Sequence, residues 1–251
     1  MRWVAAARSI IGTSHEKSCL PCQDFSGYVK HGERLVLAIA DGAGSAAFSE
    51  QGAKTAVEAV LGKMAQYEGA LEDLTIEYTE SLLNKVLEEL KVIALASSSR
   101  LGDYATTLLG AIIDNDGAYF FQIGDGCWIA DTDKGIECAT WPVNGEYINE
   151  TVFITSPNVA ESITHAYVSG VTSVLGFTDG IEHLCLNHAA REPHLPVVEK
   201  LIRAVNSPSH PHDVEDALER FLTSELVNDR TDDDKTIILA WRASDEANVD
   251  G

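Results

Sequence analysis

The run Leu35–Ala40, six apolar residues that end at Asp41-Gly42-Ala43-Gly44, constrains the fold more than any other stretch of the chain. An uninterrupted apolar run of strand length, stopped by a Gly-rich turn, predicts a strand covered on both faces, so the chain must supply a layer on either side of it. The strand ends in a carboxylate, and the glycines let backbone carbonyls approach a ligand closely. Two further apolar runs touch an aspartate, one within Val174–Asp179 and one where Asp233 precedes Thr236–Ala240. Three carboxylates at strand edges predict one shared metal site.

The remaining elements follow from periodicity and punctuation. Trp3–Ile11 predicts a first strand that stops at Gly12-Thr13-Ser14, followed by a loop to about Asp24. Phe25–Lys30 and Arg34–Ala40 form a hairpin across His31-Gly32-Glu33. Ala53, Ala56, Val57, Val60, Leu61 and Met64 recur at three- and four-residue intervals, as do Leu83, Val86, Leu87, Leu90 and Ile93, so two amphipathic helices lie against a sheet. Tyr104–Ile113, Ala118–Ile123 and a strand beginning at Cys127–Ala130 read as a meander around the turn Asp114-Asn115-Asp116-Gly117. Gly135–Cys138, Thr151–Thr155 and Thr164–Val168 are short strand candidates, and Val171–Thr178 is an interior strand. Helical spacing returns at Val197–Val205 and Val214–Leu222, the second behind an N-cap candidate in Pro211-His212-Asp213, and Thr236–Trp241 closes the fold. Runs of strands with helices inserted in two blocks predict an α+β fold, a four-layer αββα sandwich of two mainly antiparallel sheets covered by helices. No linker or repeat divides the chain, so residues 1–244 are expected to form a single domain and residues 245–251 an acidic tail.

Charge narrows the partners. With 18 Lys and Arg against 39 Asp and Glu, the formal charge of −21 repels nucleic acid and anionic membrane surfaces while attracting divalent cations and basic segments. Most of these carboxylates are solvated surface groups. The N-terminal residues lack an apolar signal core, and no stretch reaches the roughly 20 apolar residues of a spanning helix. Five scattered cysteines argue against a disulfide framework. A cytoplasmic location is therefore expected.

Hard divalent cations prefer oxygen ligands, and Asp24, Asp41, Asp179 and Asp233 with the Gly42 carbonyl would supply such a set at one end of the sheets. A pair of ions about 3.5–4 Å apart clamps a phosphoryl group and acidifies a water, giving a nucleophile without a nucleophilic side chain. Hydrolysis of a phosphate ester fits.

In order along the chain, Asp41-Gly42-Ala43-Gly44, Ala105-Thr106-Thr107-Leu108, Ile123-Gly124-Asp125-Gly126, Thr178-Asp179-Gly180-Ile181 and Asp233-Asp234-Lys235-Thr236 resemble the motifs of the metal-dependent type 2C serine/threonine protein phosphatases. The resemblance spans residues 8 to 241. A single Asp-Gly pair marks turns everywhere, whereas five motifs in the family's order are far more specific. The resemblance implies a phosphoprotein phosphatase that uses two Mn2+ or Mg2+ ions, with phosphorylated proteins as substrates and an opposing Ser/Thr kinase. It makes Asp41 the carboxylate bridging both ions, the Gly42 carbonyl a ligand of one, and Asp179 and Asp233 ligands of the other. Asp125 matches the aspartate that holds a third, weaker metal in bacterial members. Asp24 belongs to the early acidic motif that acts through water or through hydrogen bonds behind the metal ligands, with Gln23 in the place of a frequent Glu. Thr106 and Thr107 are packing or strand-pairing residues.

The departures matter as much. Ala43 stands where some members carry a histidine proposed as general acid, so the leaving group must be protonated by metal-bound water or another side chain. The arginine that binds substrate phosphate in many members is missing from its usual place before Asp24. His15 takes that role or is a solvated loop histidine, with Arg8 and Lys17 as substitutes. The usual flap segment is absent between Asp125 and Asp179, where residues 145–151 resemble a stretch of a bacterial branch. These gaps motivate an alternative, a phosphatase-like regulatory or binding domain with little activity. Cys19-Leu20-Pro21-Cys22 matches half of a zinc site or a redox pair, but neither context is complete, and structural thiols are the plainer reading. His183, His188, His194, His210 and His212 form no ligand spacing on one face and read as surface histidines.

Overall fold

The computed structural model describes residues 2–142, 151–204 and 210–243. Two five-stranded antiparallel sheets form its centre. The first has the order β1 (Arg2–Ile10), β12 (Lys235–Ala243), β9 (Val171–Phe177), β6 (Cys127–Thr132), β7 (Gly135–Cys138). The second has the order β2 (Asp24–His31), β3 (Arg34–Asp41), β4 (Leu108–Ile113), β5 (Gly117–Ile123), β8 (Thr164–Ser169). A two-stranded ribbon, β10 (Leu186–Asn187) and β11 (Glu192–Pro193), stands apart from both.

The alternation along β3 shows why the sheets must stack. Leu35, Leu37 and Ile39 point into a layer with Trp3, Phe120, Trp128, Val174 and Ile238, drawn from both sheets. Val36, Ala38 and Ala40 point the other way, against α2 (Ser49–Met64) and α3 (Ile76–Ala96). Every second side chain of a strand faces the same way, so an all-apolar strand demands cover on both sides, and each large side chain buried there contributes about 1.5–3 kcal/mol. On the far side of the first sheet, Leu175, Phe177, Ile237 and Leu239 pack with Leu184 of α4 (Glu182–Cys185), Val198 and Ile202 of α5 (Leu195–Arg203) and Val214 and Leu218 of α6 (Pro211–Leu222). The result is the expected four-layer αββα sandwich.

Four local expectations are corrected. The strand at Cys127 does not continue a meander: Gly124 and Gly126 adopt φ of 92° and 89°, and the chain crosses there from the second sheet to the first. Only glycine adopts such angles without strain, so this turn carries Asp125 to the seam between the sheets. Residues 151–155 are a bridge and a turn, not a strand, because Ile154 turns inward to the helix-covered core and its N–H bonds Thr106. The loop after β1 contains a helical turn, α1 (Thr13–Ser18), closed by Cys19 at φ 55°. The helix α6 starts earlier than Asp213, with His210 at its cap and Pro211 at the first position, where a missing N–H costs nothing. Residues 145–150 and the tail 245–251 lie outside the described residues.

Candidate metal centre

Three of the aspartates singled out in the sequence meet at one end of the sandwich. Carboxylate oxygens of Asp41, Asp125 and Asp179 all lie within 4.8 Å of one another. Asp41 ends β3, Asp125 sits on the crossover turn between the sheets, and Asp179 follows β9. Each strand therefore delivers its carboxylate to the same edge.

Asp41 is held through its backbone. Its N–H donates to Thr107 Oγ1 at 2.9 Å, and its carbonyl accepts from Thr107 N at 2.8 Å and Thr106 Oγ1 at 2.7 Å. Thr106 and Thr107 are both buried and hold this strand end through these hydrogen bonds. Gly42 N donates to the Gln23 carbonyl at 3.1 Å, and a Cβ at position 42 would lie 2.8 Å from that carbonyl and from Ser49. Only glycine fits there. Among the described residues no N–H donates to the Gly42 carbonyl, which leaves its lone pairs available.

Asp24 lies beneath this cluster, 4% exposed. Its Oδ2 accepts from Thr178 Oγ1 at 2.7 Å and from Thr236 Oγ1 at 2.8 Å, while its Oδ1 is buried with no partner. Asp125 has the same asymmetry: Oδ2 takes the hydroxyl of Thr151 at 2.7 Å and Oδ1 is unpaired.

Electrostatics is severe in this corner. Burial, then the neighbouring carboxylates Asp125 and Asp233, push Asp179 up to about 7, and burial pushes Asp24 up to about 8. Burial followed by the charges of Asp24, Asp179 and Asp125 lifts Asp41 well above the usual carboxylate range, and burial lifts Asp125 in the same direction. Converging anions with unpaired buried oxygens are costly in a low-dielectric site unless they neutralise or coordinate a cation. The donor set is all oxygen, which suits Mg2+ or Mn2+. The residues present fit the implied ions.

Asp233 and Asp234 divide their tasks. Asp233 is exposed and stands outside the tight trio, yet its charge raises both Asp125 and Asp179. Asp234 is 2% exposed and accepts from Gly12 N at 2.6 Å and Gln23 N at 2.5 Å. His15 Nδ1 stands 3.0 Å from Asp234 Oδ2 without a hydrogen bond of good geometry, and the side chain is only 15% exposed, so His15 packs against the segment that carries Asp233 and is not a freely solvated loop residue. Ala43 is buried and offers no proton. Arg8 pairs with Glu215 and Glu219 on α6, away from a substrate role. The five cysteines are free thiols, with Cys19 exposed and Cys22 half-buried.

One contributor escaped the sequence reading. Glu182, three residues past Asp179, is buried, its Oε2 accepts from Gly126 N at 3.4 Å, and burial pushes it up to about 7. Its spacing from Asp179 is that of one helical turn, the only signal the sequence carried.

A two-sheet sandwich with an oxygen-rich carboxylate centre at the sheet edges defines a class. The model of the protein phosphatase 2C family matches residues 11–223, and the chain belongs to that family of phosphoprotein phosphatases. That match includes Asp24, Asp41, Asp125 and Asp179 and stops before Asp233. The chain is 33% identical to "Serine/threonine-protein phosphatase 3" of Escherichia coli (strain K12) over 249 residues, covering 96% of this chain and 98% of that protein. Among solved structures it is similar to the catalytic domain of the serine threonine protein phosphatase PstP in complex with two manganese ions, with a TM-score of 0.66, 17% identity and coverage of 96% and 99%. It is equally similar to the serine/threonine phosphatase Stp1 from Staphylococcus aureus, with a TM-score of 0.66, 15% identity and coverage of 97% and 96%.

Proposed function

We propose that this protein is a Mn2+- or Mg2+-dependent protein serine/threonine phosphatase in which water attacks the phosphomonoester directly at a two-metal centre. The observation that carries the reading is the convergence of the Asp41, Asp125 and Asp179 carboxylates within 4.8 Å, next in sequence to a Gly42 carbonyl that accepts no N–H from the described residues. Asp41, the Gly42 carbonyl, Asp179 and Asp233 would hold the two ions, and Asp125 would serve a third, weaker one. Bound divalent ions supply Lewis-acid polarisation of the phosphoryl oxygens and a water acidic enough to attack near neutral pH.

The chain's own residues orient the reaction. Asp24, clamped at Oδ2 by Thr178 and Thr236, keeps Oδ1 as a hydrogen-bond acceptor that fixes a water. His15, beside Asp234, donates an imidazole N–H to a phosphoryl oxygen in place of the missing arginine. The 1–244 segment acts as one catalytic domain, on phosphoproteins modified by a Ser/Thr kinase, in the cytoplasm. None of the described helices is long and apolar enough to cross a membrane.

Phosphopeptide hydrolysis with and without Mn2+, in wild type and Asp41→Ala, tests the reading. Wild type turns over only with the cation and Asp41→Ala does not. Equal, cation-independent rates in both would overturn it.

A further inference from the structure

Trp141, His188 and Arg191 form a cluster on the surface that the phosphatase chemistry does not use. The Arg191 guanidinium lies over the Trp141 ring, 5.4 Å from its centroid, and the His188 ring meets Trp141 edge-on with centroids 5.7 Å apart. His183 stands 5.7 Å from His188, and all three cationic or imidazole side chains are exposed. Arg191 occupies the turn between β10 and β11 with φ 54°, a left-handed conformation that costs a residue with a Cβ and is kept where the surroundings over-determine it.

The cluster is fixed to the metal centre twice. His188 Nε2 stands 3.0 Å from Glu182 Oε1, and the other oxygen of Glu182 accepts from Gly126 N. Independently, the buried amide of Gln122 donates to the carbonyls of Gly124 and Gly126 at 2.9 Å and reaches the Trp141 carbonyl at 3.5 Å. Both struts end on Gly124-Asp125-Gly126, the tripeptide that presents Asp125. A platform tied to that turn by both struts is positioned relative to Asp125.

An arginine laid on an aromatic face keeps its in-plane N–H donors outward, the geometry that receives a carboxylate or phosphate in two parallel hydrogen bonds. In a chain of net charge −21, an exposed guanidinium on an aromatic face beside two histidines is a local feature that complements an anion. We propose that Trp141, His188 and Arg191 form a docking site for an anionic residue flanking the phosphorylated Ser or Thr of a protein substrate, with Arg191 as the specificity-determining group. The inference rests on the phosphatase reading above and adds the sequence class of substrate that the site prefers.

The test uses two phosphopeptides, identical except for acidic or alanine residues flanking the phosphoserine, with p-nitrophenyl phosphate as a non-peptide substrate for the wild type. Wild type prefers the acidic peptide in kcat/KM by about tenfold, through KM. Arg191→Ala and Arg191→Gly bring that ratio near one, and Arg191→Lys restores part of it. Arg191→Gly relaxes the left-handed turn, so a loss of preference in this variant, with Tm maintained, comes from the guanidinium and not from unfolding. A preference that survives in Arg191→Gly, or a wild type indifferent to flanking charge, overturns the docking site alone. A wild type that hydrolyses neither peptide nor p-nitrophenyl phosphate with Mn2+ overturns the phosphatase reading instead.

Discussion

Thr178 donates its hydroxyl to Asp24 Oδ2 at 2.7 Å, and Thr178 is the residue immediately before Asp179. One threonine thereby ties the early acidic position on β2 to the carboxylate that follows β9, in the opposite sheet. Thr236 makes the matching bond from β12 at 2.8 Å. The two hydroxyls close the end of the sandwich around a buried carboxylate.

Removing either hydroxyl is therefore expected to be expensive for so small a change. Thr178→Val and Thr236→Val each keep the side-chain shape but leave a buried Asp24 oxygen short of a donor, a loss of about 1–3 kcal/mol for an unsatisfied buried polar group. Urea unfolding of the cation-free protein measures it. A change below about 0.5 kcal/mol, within the range of neutral surface substitutions, would show that Asp24 does not depend on them.

The carboxylate cluster sets a pH dependence with a definite sign. Asp24 and Asp179, raised by burial to about 8 and about 7 from an ordinary 3.8, bind protons more tightly folded than unfolded. Their contribution to stability is complete below the unfolded value and is lost as pH rises through the folded values. The cation-free protein should therefore have a lower Tm at pH 8.5 than at pH 6, with roughly 2–4 °C for each kcal/mol in a chain of this size. Mn2+ should raise Tm most at the alkaline end, where the ligands are already deprotonated. Asp24→Asn, which removes one of these two titrations, should flatten the slope, and Asp41→Asn should abolish the Mn2+ response; an unchanged slope in Asp24→Asn would contradict the assignment.

The adjacent aspartates should separate cleanly. Asp233→Asn should weaken Mn2+ binding and turnover while leaving unfolding within about 1 kcal/mol of wild type. Asp234→Ala strands the buried N–H groups of Gly12 and Gln23 and should cost about 2–4 kcal/mol, visible in urea unfolding. Reversed phenotypes would exchange their roles.

Gly180 offers a steric test. A Cβ there would lie 1.9 Å from the Asp234 carbonyl, so Gly180→Ala must push apart the segments carrying Asp179 and Asp233. It should lower Mn2+ affinity and Tm together, as calorimetry and thermal unfolding would report. Wild-type values for both would mean the two segments do not need this approach.

Much of this was legible from local pattern. The apolar run of β3, the two helical stripes and the aspartates at strand ends each announce themselves within a few residues. Asp41, Asp125 and Asp179 come together because strand ends of antiparallel sheets meet at one edge, a consequence of topology that the motif order already implied. The crossover at Gly124–Gly126 was misread because the β5–β6 connection has the spacing of a hairpin, and only the positive φ values reveal a change of sheet. Asp234 was not separable from Asp233 by sequence, since its role depends on N–H groups some 211 and 222 residues away along the chain. Glu182 and the Trp141 platform were missed for the same reason: their partners Gly126 and Gln122 come from other elements, and histidines without ligand spacing look like ordinary surface.

The proposed site places Asp41, Asp179 and Asp233 with the Gly42 carbonyl around the divalent ions that drive phosphoester hydrolysis. Anomalous scattering at the manganese edge, from crystals grown in Mn2+, locates those ions. Two anomalous peaks at coordination distance from Asp41, one also touching the Gly42 carbonyl and the other Asp179 and Asp233, are the predicted result. An anomalous map with no peak at Asp41, from crystals of protein that is active in the same Mn2+ solution, would contradict it.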